Sequence, residues 1–103
     1  MKPIAELRLQ LMRRGAKRKW AVHVTIGAPE PDGNDWCCPI RLKGLVDSKE
    51  RRIFGVDSWQ AVILALRFAE TMLQNEVRKG GKLFYLGGET SVPKLFATQV
   101  RGK

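Results

Sequence analysis

From Ser58 to Arg78 the chain runs without a glycine or a proline, and the residues on either side are suited to start and stop a helix. Asp57 can accept a hydrogen bond from the Gln60 amide, and Gln60 sits three residues on, where its side chain can reach back. This is capping-box spacing with Asp in the Ser/Thr role. The interior is rich in Ala, Leu, Arg, Glu, Met and Gln, all strong helix formers. Arg78 and Lys79 fall in the last turn, where positive charge suits the negative end of the helix dipole, and Gly80-Gly81 end it. A helix from Ser58 to Lys79 in a chain of 103 residues leaves room for one core and one domain, spanning 1–103.

What precedes the helix reads as strands. Ala5, Leu7, Leu9 and Leu11 alternate with Glu6, Arg8 and Gln10, a period of two that marks a half-buried strand over residues 4–11. Trp20, Val22, Val24 and Ile26 alternate with Ala21, His23 and Thr25, and are of the β-branched and aromatic types that strands favour. Residues 27–35 (GAPEPDGND) are turn chemistry throughout. They are followed by a strand over Trp36–Leu45, with Pro39 marking an edge or a bulge, and by another over Glu50–Gly55. Three loops joining four successive strands predict an antiparallel meander, and Leu83–Leu86 adds a candidate fifth strand before Gly87-Gly88 breaks it. The sequence pattern leaves residues 87–103, including Val92–Val100, unassigned. The expected fold is α+β: a four- to five-stranded antiparallel meander sheet with one long helix packed on one face.

Plotting the helix at 100° per residue sets Trp59, Val62, Ile63, Leu66, Ala69, Leu73 and Val77 on one side as the expected sheet-facing stripe. Gln60, Arg67, Thr71, Gln74 and Arg78 form the polar sector. The remaining side carries Ala61, Leu64, Ala65, Phe68 and Met72, so the apolar arc is wider than one sheet face requires. Two readings compete: the C-terminal tail, with Leu95 and Phe96, folds over the surplus stripe, or Leu64, Phe68 and Met72 form an interface for a second copy or a partner protein.

Charge gives the second candidate surface. The net charge is +9, which favours polyanions or acidic proteins as partners. Five cations, Arg13, Arg14, Lys17, Arg18 and Lys19, crowd one loop beside Trp20. Such a loop can neutralise phosphates, and a tryptophan can stack on a base, although Trp20 also fits the buried phase of its strand. The alternative is a solvated hairpin tip. No RNP-type aromatic strand, GXXG loop or zinc finger accompanies the charge.

Catalysis finds little support. His23 has no nominated nucleophile or acid nearby, and Asp57-Ser58 is accounted for by the helix cap. Gly87-Gly88 lacks the following helix of a phosphate-binding loop. The adjacent Cys37 and Cys38 cannot pair without a strained turn, and two thiols with one histidine do not make a zinc site. They read as free thiols of a reducing cytoplasm, and no cofactor, metal or catalytic residue is expected. No apolar run approaches a membrane span.

Several segments together resemble a family. These are I-A-E-L-R-L at the first strand, V-T-I-G-A-P, W-C-C-P-I-R-L-K-G-L (Trp36–Leu45), G-V-D-S-W-Q-A-V-I-L-A-L (Gly55–Leu66) and F-Y-L-G-G. The chain resembles small bacterial proteins that share a domain of unknown function, and the run Arg13–Lys19 lies outside that pattern. The resemblance implies a stand-alone bacterial domain of strands followed by a helix, and carries no catalytic residue or cofactor. The residues point first to a non-catalytic protein-interaction or self-associating module. A nucleic-acid-binding accessory protein using the loop 13–19 is the alternative.

Overall fold

Strand alternation and the capped helix assemble as two layers, a twisted sheet and the long helix laid across one of its faces. The computed structural model describes residues 1–96. Its elements are β1 (Pro3–Met12), β2 (Trp20–Gly27), β3 (Glu30–Asp32), β4 (Asp35–Lys43), β5 (Glu50–Gly55), α1 (Ser58–Arg78), β6 (Lys82–Tyr85), β7 (Gly88–Thr90) and α2 (Val92–Phe96). All strand pairs are antiparallel.

The sheet has seven strands rather than four or five. Both additional strands are three residues long and lie where turn chemistry dominates the sequence. Within GAPEPDGND the turn is confined to Gly33-Asn34, with Gly33 at φ +60°, and Glu30–Asp32 pairs back on the start of β4. Leu86 and Gly87 both have positive φ, at 52° and 84°. That makes Y-L-G-G the tight turn of a hairpin joining β6 to β7, where the sequence suggested only a break.

Nor is the order a simple meander. β1 pairs β2, β2 pairs the C-terminal half of β4, and β5 takes the other edge of β4. β3 continues the line of β2 along β4. After the helix the chain returns to the far side, where β6 joins the free edge of β1 and β7 extends the sheet. β1 is therefore central, and the tip of the β1–β2 hairpin sits beside the start of β6.

The helix begins as expected: the Asp57 carboxylate accepts the Gln60 amide at 2.7 Å. The reciprocal bond differs by one residue, the Gln60 side chain accepting from Val56 N–H at 2.8 Å. At the other end Gly80 has φ +95°, and Gly81 N–H donates to the Glu76 carbonyl at 2.9 Å, as helix-ending geometry requires.

The rotation of α1 about its axis is where the expected packing fails. Ala61, Ala65, Ala69 and Leu73 are the fully buried positions, with Glu76. Trp59, placed on the sheet-facing stripe by periodicity, is 76% exposed, and Leu66 and Val77 are also exposed. Alanines line the contact because the helix approaches the sheet closely. A Cβ built on Gly55 would lie 2.5 Å from the Ala61 nitrogen. Large apolar side chains dominate a sequence-based view of the faces, whereas close packing favoured the small ones. Phe68 and Met72 pack half-buried against the core, and Leu64 sits at its margin.

The tail segment Val92–Val100 begins with α2, and residues beyond 96 lie outside the described part of the chain. Leu95 and Phe96 line a cleft of about 330 Å³ with Leu66, Ala69, Ala5 and Leu7. Leu95 and Phe96 thus lie on the β1 side of α1, and the rest of the tail falls outside the described residues. The core beneath is Leu9, Leu11, Val22, Val24, Ile26, Cys38, Ile40, Leu42 and Leu83 closed by the alanine face of α1.

Candidate functional site

Tertiary structure joins two basic segments that are far apart in sequence. The 13–19 loop closes the β1–β2 hairpin, and the C-terminus of α1 with the start of β6 lies against it. Arg14 rests on Gly80: a Cβ there would be 3.0 Å from the Arg14 Cδ. Met12 pairs with Lys82 across β1 and β6. A cleft of about 450 Å³ between the two segments is lined by Arg13, Arg14, Leu45, Glu76, Lys79 and Gly81. One end of the molecule therefore carries Arg14, Lys17, Arg18 and Lys19 from the loop together with Arg78, Lys79 and Lys82.

The five loop cations have different tasks. Arg13 is structural: its guanidinium donates to both Glu76 carboxylate oxygens, at 3.1 and 3.4 Å, and to the Leu45 carbonyl at 3.4 Å. It also lies 4.3 Å from the centre of the Trp20 ring. Glu76 is 7% exposed and sits near the negative end of α1, an unfavourable place for a carboxylate unless a cation meets it. Arg13 meets it, and so fastens the hairpin tip to the helix. The Lys19 ammonium lies 3.8 Å over the Phe84 ring on the other face of the sheet. Arg14, Lys17 and Arg18 are exposed, and no ion pair involves them among the described residues.

Trp20 is 44% exposed, under Arg13, rather than in the core its strand phase suggests. The strand has run past the end of α1 by that point, so its helix-side position finds a cation instead of a helix. Against the cations stands the C-terminal dipole of α1, equivalent to about half a negative unit charge. Seven cations outweigh it, and the end is strongly positive.

The sheet face away from α1 continues this surface. Strand register puts Arg8, His23 and Lys43 side by side in one row across β1, β2 and β4. The row toward the tip is Gln10 and Ala21, with Phe84 beside Gln10. In the opposite direction the charge is compensated. His23 Nε2 is 3.2 Å from Glu6 Oε1 and 3.3 Å from Thr25 Oγ1. Arg41 faces Glu50 at 4.0 Å, and Arg52 pairs with Asp32 at 3.3 Å. His23 thus belongs to a surface network, not to a pocket.

The cysteines lie on opposite faces, both buried and free. Cys38 is in the core, and burial, with Cys37 beside it, pushes its thiol pKa up. Cys37 accepts a hydrogen bond from Arg52 at 3.1 Å, and that bond, followed by the charge of Cys37, raises the Arg52 pKa. Among the described residues no three His, Cys, Asp or Glu side chains gather to hold a metal. Nor is any helix among the described residues long and apolar enough to cross a membrane.

Of the sequence-derived sites, the structure keeps Arg14, Lys17, Arg18 and Lys19 at one end, commits Arg13 to Glu76, and places Leu64, Phe68 and Met72 along the core margin. Sequence reading missed Arg78, Lys79 and Lys82 as partners of the loop: Arg78 and Lys79 are accounted for as helix-ending charge, and Lys82 follows the glycines that end the helix. It also missed the row Arg8–His23–Lys43, which only register assembles.

Fold and surface define a two-layer α+β protein with one sheet face under a helix and the other open and charged. The chain belongs to the family described as Domain of unknown function (DUF6968), which matches residues 6–93. No curated protein and no solved structure matches it.

Proposed function

We propose that this protein is a non-catalytic nucleic-acid-binding accessory protein, using the basic end formed by the 13–19 loop and the 78–82 segment. The observation that carries this is the convergence of seven cations from two segments on one end, where Arg13 takes the Glu76 carboxylate and Glu70 and Glu89 flank Arg78 and Lys82 without an ion pair among the described residues. Such an end concentrates positive potential where several phosphates can be met at once. The free thiols of Cys37 and Cys38 suit a reducing bacterial cytoplasm.

Retention on single- and double-stranded DNA and RNA at stepped salt concentrations tests the reading. Wild type should bind with an affinity that falls steeply as salt rises. Arg14→Glu with Arg18→Glu should lower the slope of log K against log salt by about 1.4 to 1.8. Binding absent at low salt, or unaffected by the pair of reversals, overturns it.

A second reading, a protein-interaction or self-associating module, draws support from a different surface than Leu64, Phe68 and Met72. At the β5–α1 junction Phe54, Val56 and Trp59 are 50%, 68% and 76% exposed. Large apolar side chains exposed at one junction suit a protein contact, Val56 and Trp59 at the start of α1 and Phe54 on the open sheet face opposite Cys37. A solution mass above that of one chain, reduced to it by Trp59→Asp, would favour this reading; a monomer at high concentration would count against self-association.

A further inference from the structure

The open face of the sheet offers a continuation of the basic end, and its character decides what form of nucleic acid fits. Beginning at the hairpin tip, Lys19 and Lys82 flank Phe84 on this face. The next row, Gln10 and Ala21, is flat and uncharged. The row after that is Arg8, His23 and Lys43, in direct cross-strand register. Arg8 and Lys43 are exposed and take part in no ion pair among the described residues. Four residues separate the two basic rows along a strand, about 13 Å, and the row itself spans three strands, about 10 Å.

Beyond it the surface changes. Glu50 and Asp32 compensate Arg41 and Arg52, and the Glu6 carboxylate lies 3.2 Å from His23 Nε2. The side chain of Met1 covers Gly27 and Pro39. The track therefore starts at the tip, with Glu89 of β7 opposite Phe84 at its outer edge, and runs to Arg8 and Lys43, the two members of their row with no carboxylate partner among the described residues.

We infer that this face is the bed for a single strand of nucleic acid, whose phosphates run from the basic end to Arg8 and Lys43 while a base stacks at Phe84. The inference rests on the proposed nucleic-acid reading and adds the path and the strandedness. A duplex keeps its bases inside and meets a flat sheet with one backbone edge only. A single strand can lay its backbone between two separated cationic rows and turn a base onto an aromatic ring. Lys19, now on the Phe84 ring, has a flexible stem that lets its ammonium move to a phosphate as a base takes the ring.

The test is fluorescence anisotropy with a short labelled single-stranded oligonucleotide and the duplex of the same sequence. Five proteins are compared: wild type, R8E/K43E, R14E/R18E, F84A, and R67E/K94E. The last makes the same change in net charge on the α1 and α2 surfaces, where Arg67 and Lys94 are exposed. Thermal unfolding of each checks the fold, expected unchanged for the exposed charges, and separates any loss of stability at the half-buried Phe84 from loss of binding.

The single strand should bind more tightly than the duplex. R8E/K43E should lower the single-strand salt slope by about 1.4, against little change in R67E/K94E. F84A should weaken single-strand binding by roughly 5- to 160-fold, the range of one lost base stack. If R8E/K43E and R67E/K94E behave alike while R14E/R18E still weakens binding, the track over the sheet is wrong and the tip alone binds. A duplex preference likewise overturns the inference and leaves the proposed function standing. If neither oligonucleotide binds, the proposed function itself falls, and the inference with it.

Discussion

The two faces of the sheet are drawn from the same strands, residue by alternate residue, yet they answer to different physics. On the helix side, Val22, Val24, Ile40 and Leu42 are shut beneath Ala61, Ala65 and Ala69, and the fit is close enough that Gly55 has no room for a side chain. On the open side, Arg8, His23, Arg41 and Lys43 stand in water and differ from one another chiefly in whether a carboxylate is near. A change of one methyl group matters on the first face. A reversal of charge on the second meets water rather than packed atoms. The comparison teaches that side-chain parity alone separates close-packed positions from solvated, charged ones here.

The strongest way to break this contrast is to add bulk to the covered face. Gly55→Val should destabilise by about 3 kcal/mol or prevent folding, because its Cβ meets backbone atoms of α1 that cannot give way. Ala65→Leu, fully buried, should cost about 1–3 kcal/mol by overpacking. Chemical denaturation measures both, and a neutral outcome would mean that α1 is not seated as closely as described.

A smaller effect probes the point where the two faces meet the basic end. Arg13→Ala leaves the nearly buried Glu76 carboxylate without its guanidinium and should cost about 2 kcal/mol. Glu76→Gln in the Arg13→Ala background should recover part of the loss, since it removes the unpaired charge. A double-mutant cycle reads the coupling.

On the open face, R8E/K43E should change stability by no more than about 0.5 kcal/mol while altering nucleic-acid binding, which sharpens the separation of roles. Leu86→Asn should stabilise by about 0.5 kcal/mol, since asparagine tolerates the positive φ at this exposed turn better than leucine. For Cys38 the folded protein holds the thiol proton more tightly than the unfolded chain does. Its contribution is therefore unchanged below the ordinary thiol range and is lost as pH rises through that range toward the raised folded value. A fall in melting temperature there that is absent in Cys38→Ala would identify the group.

Local features of the fold were legible in the sequence because local physics decides them. The Asp57 cap, the glycines after Arg78 and the alternation of β1 and β2 depend on neighbours within a few residues; the elements form where they are read, with Trp20 exposed and the Gln60 side chain on Val56 as the departures. Family membership was likewise legible, carried by short segments spread along residues 6–93. The cations of the 13–19 loop were legible as a cluster.

What the tertiary structure alone decided is a matter of approach distance and register. Periodicity ranks helix faces by the size of their apolar residues, but close contact with the sheet selected the alanines, and so turned Trp59 outward and Phe68 and Met72 inward. The return of β6 to the edge of β1 is a long-range pairing, and with it come Arg78, Lys79 and Lys82 to the side of the loop. Antiparallel register across three strands then sets Arg8, His23 and Lys43 in one row. The sequence alone determined that this chain would carry excess positive charge and one long helix. Only packing decided that the charge would gather at one end and continue over the face the helix leaves open.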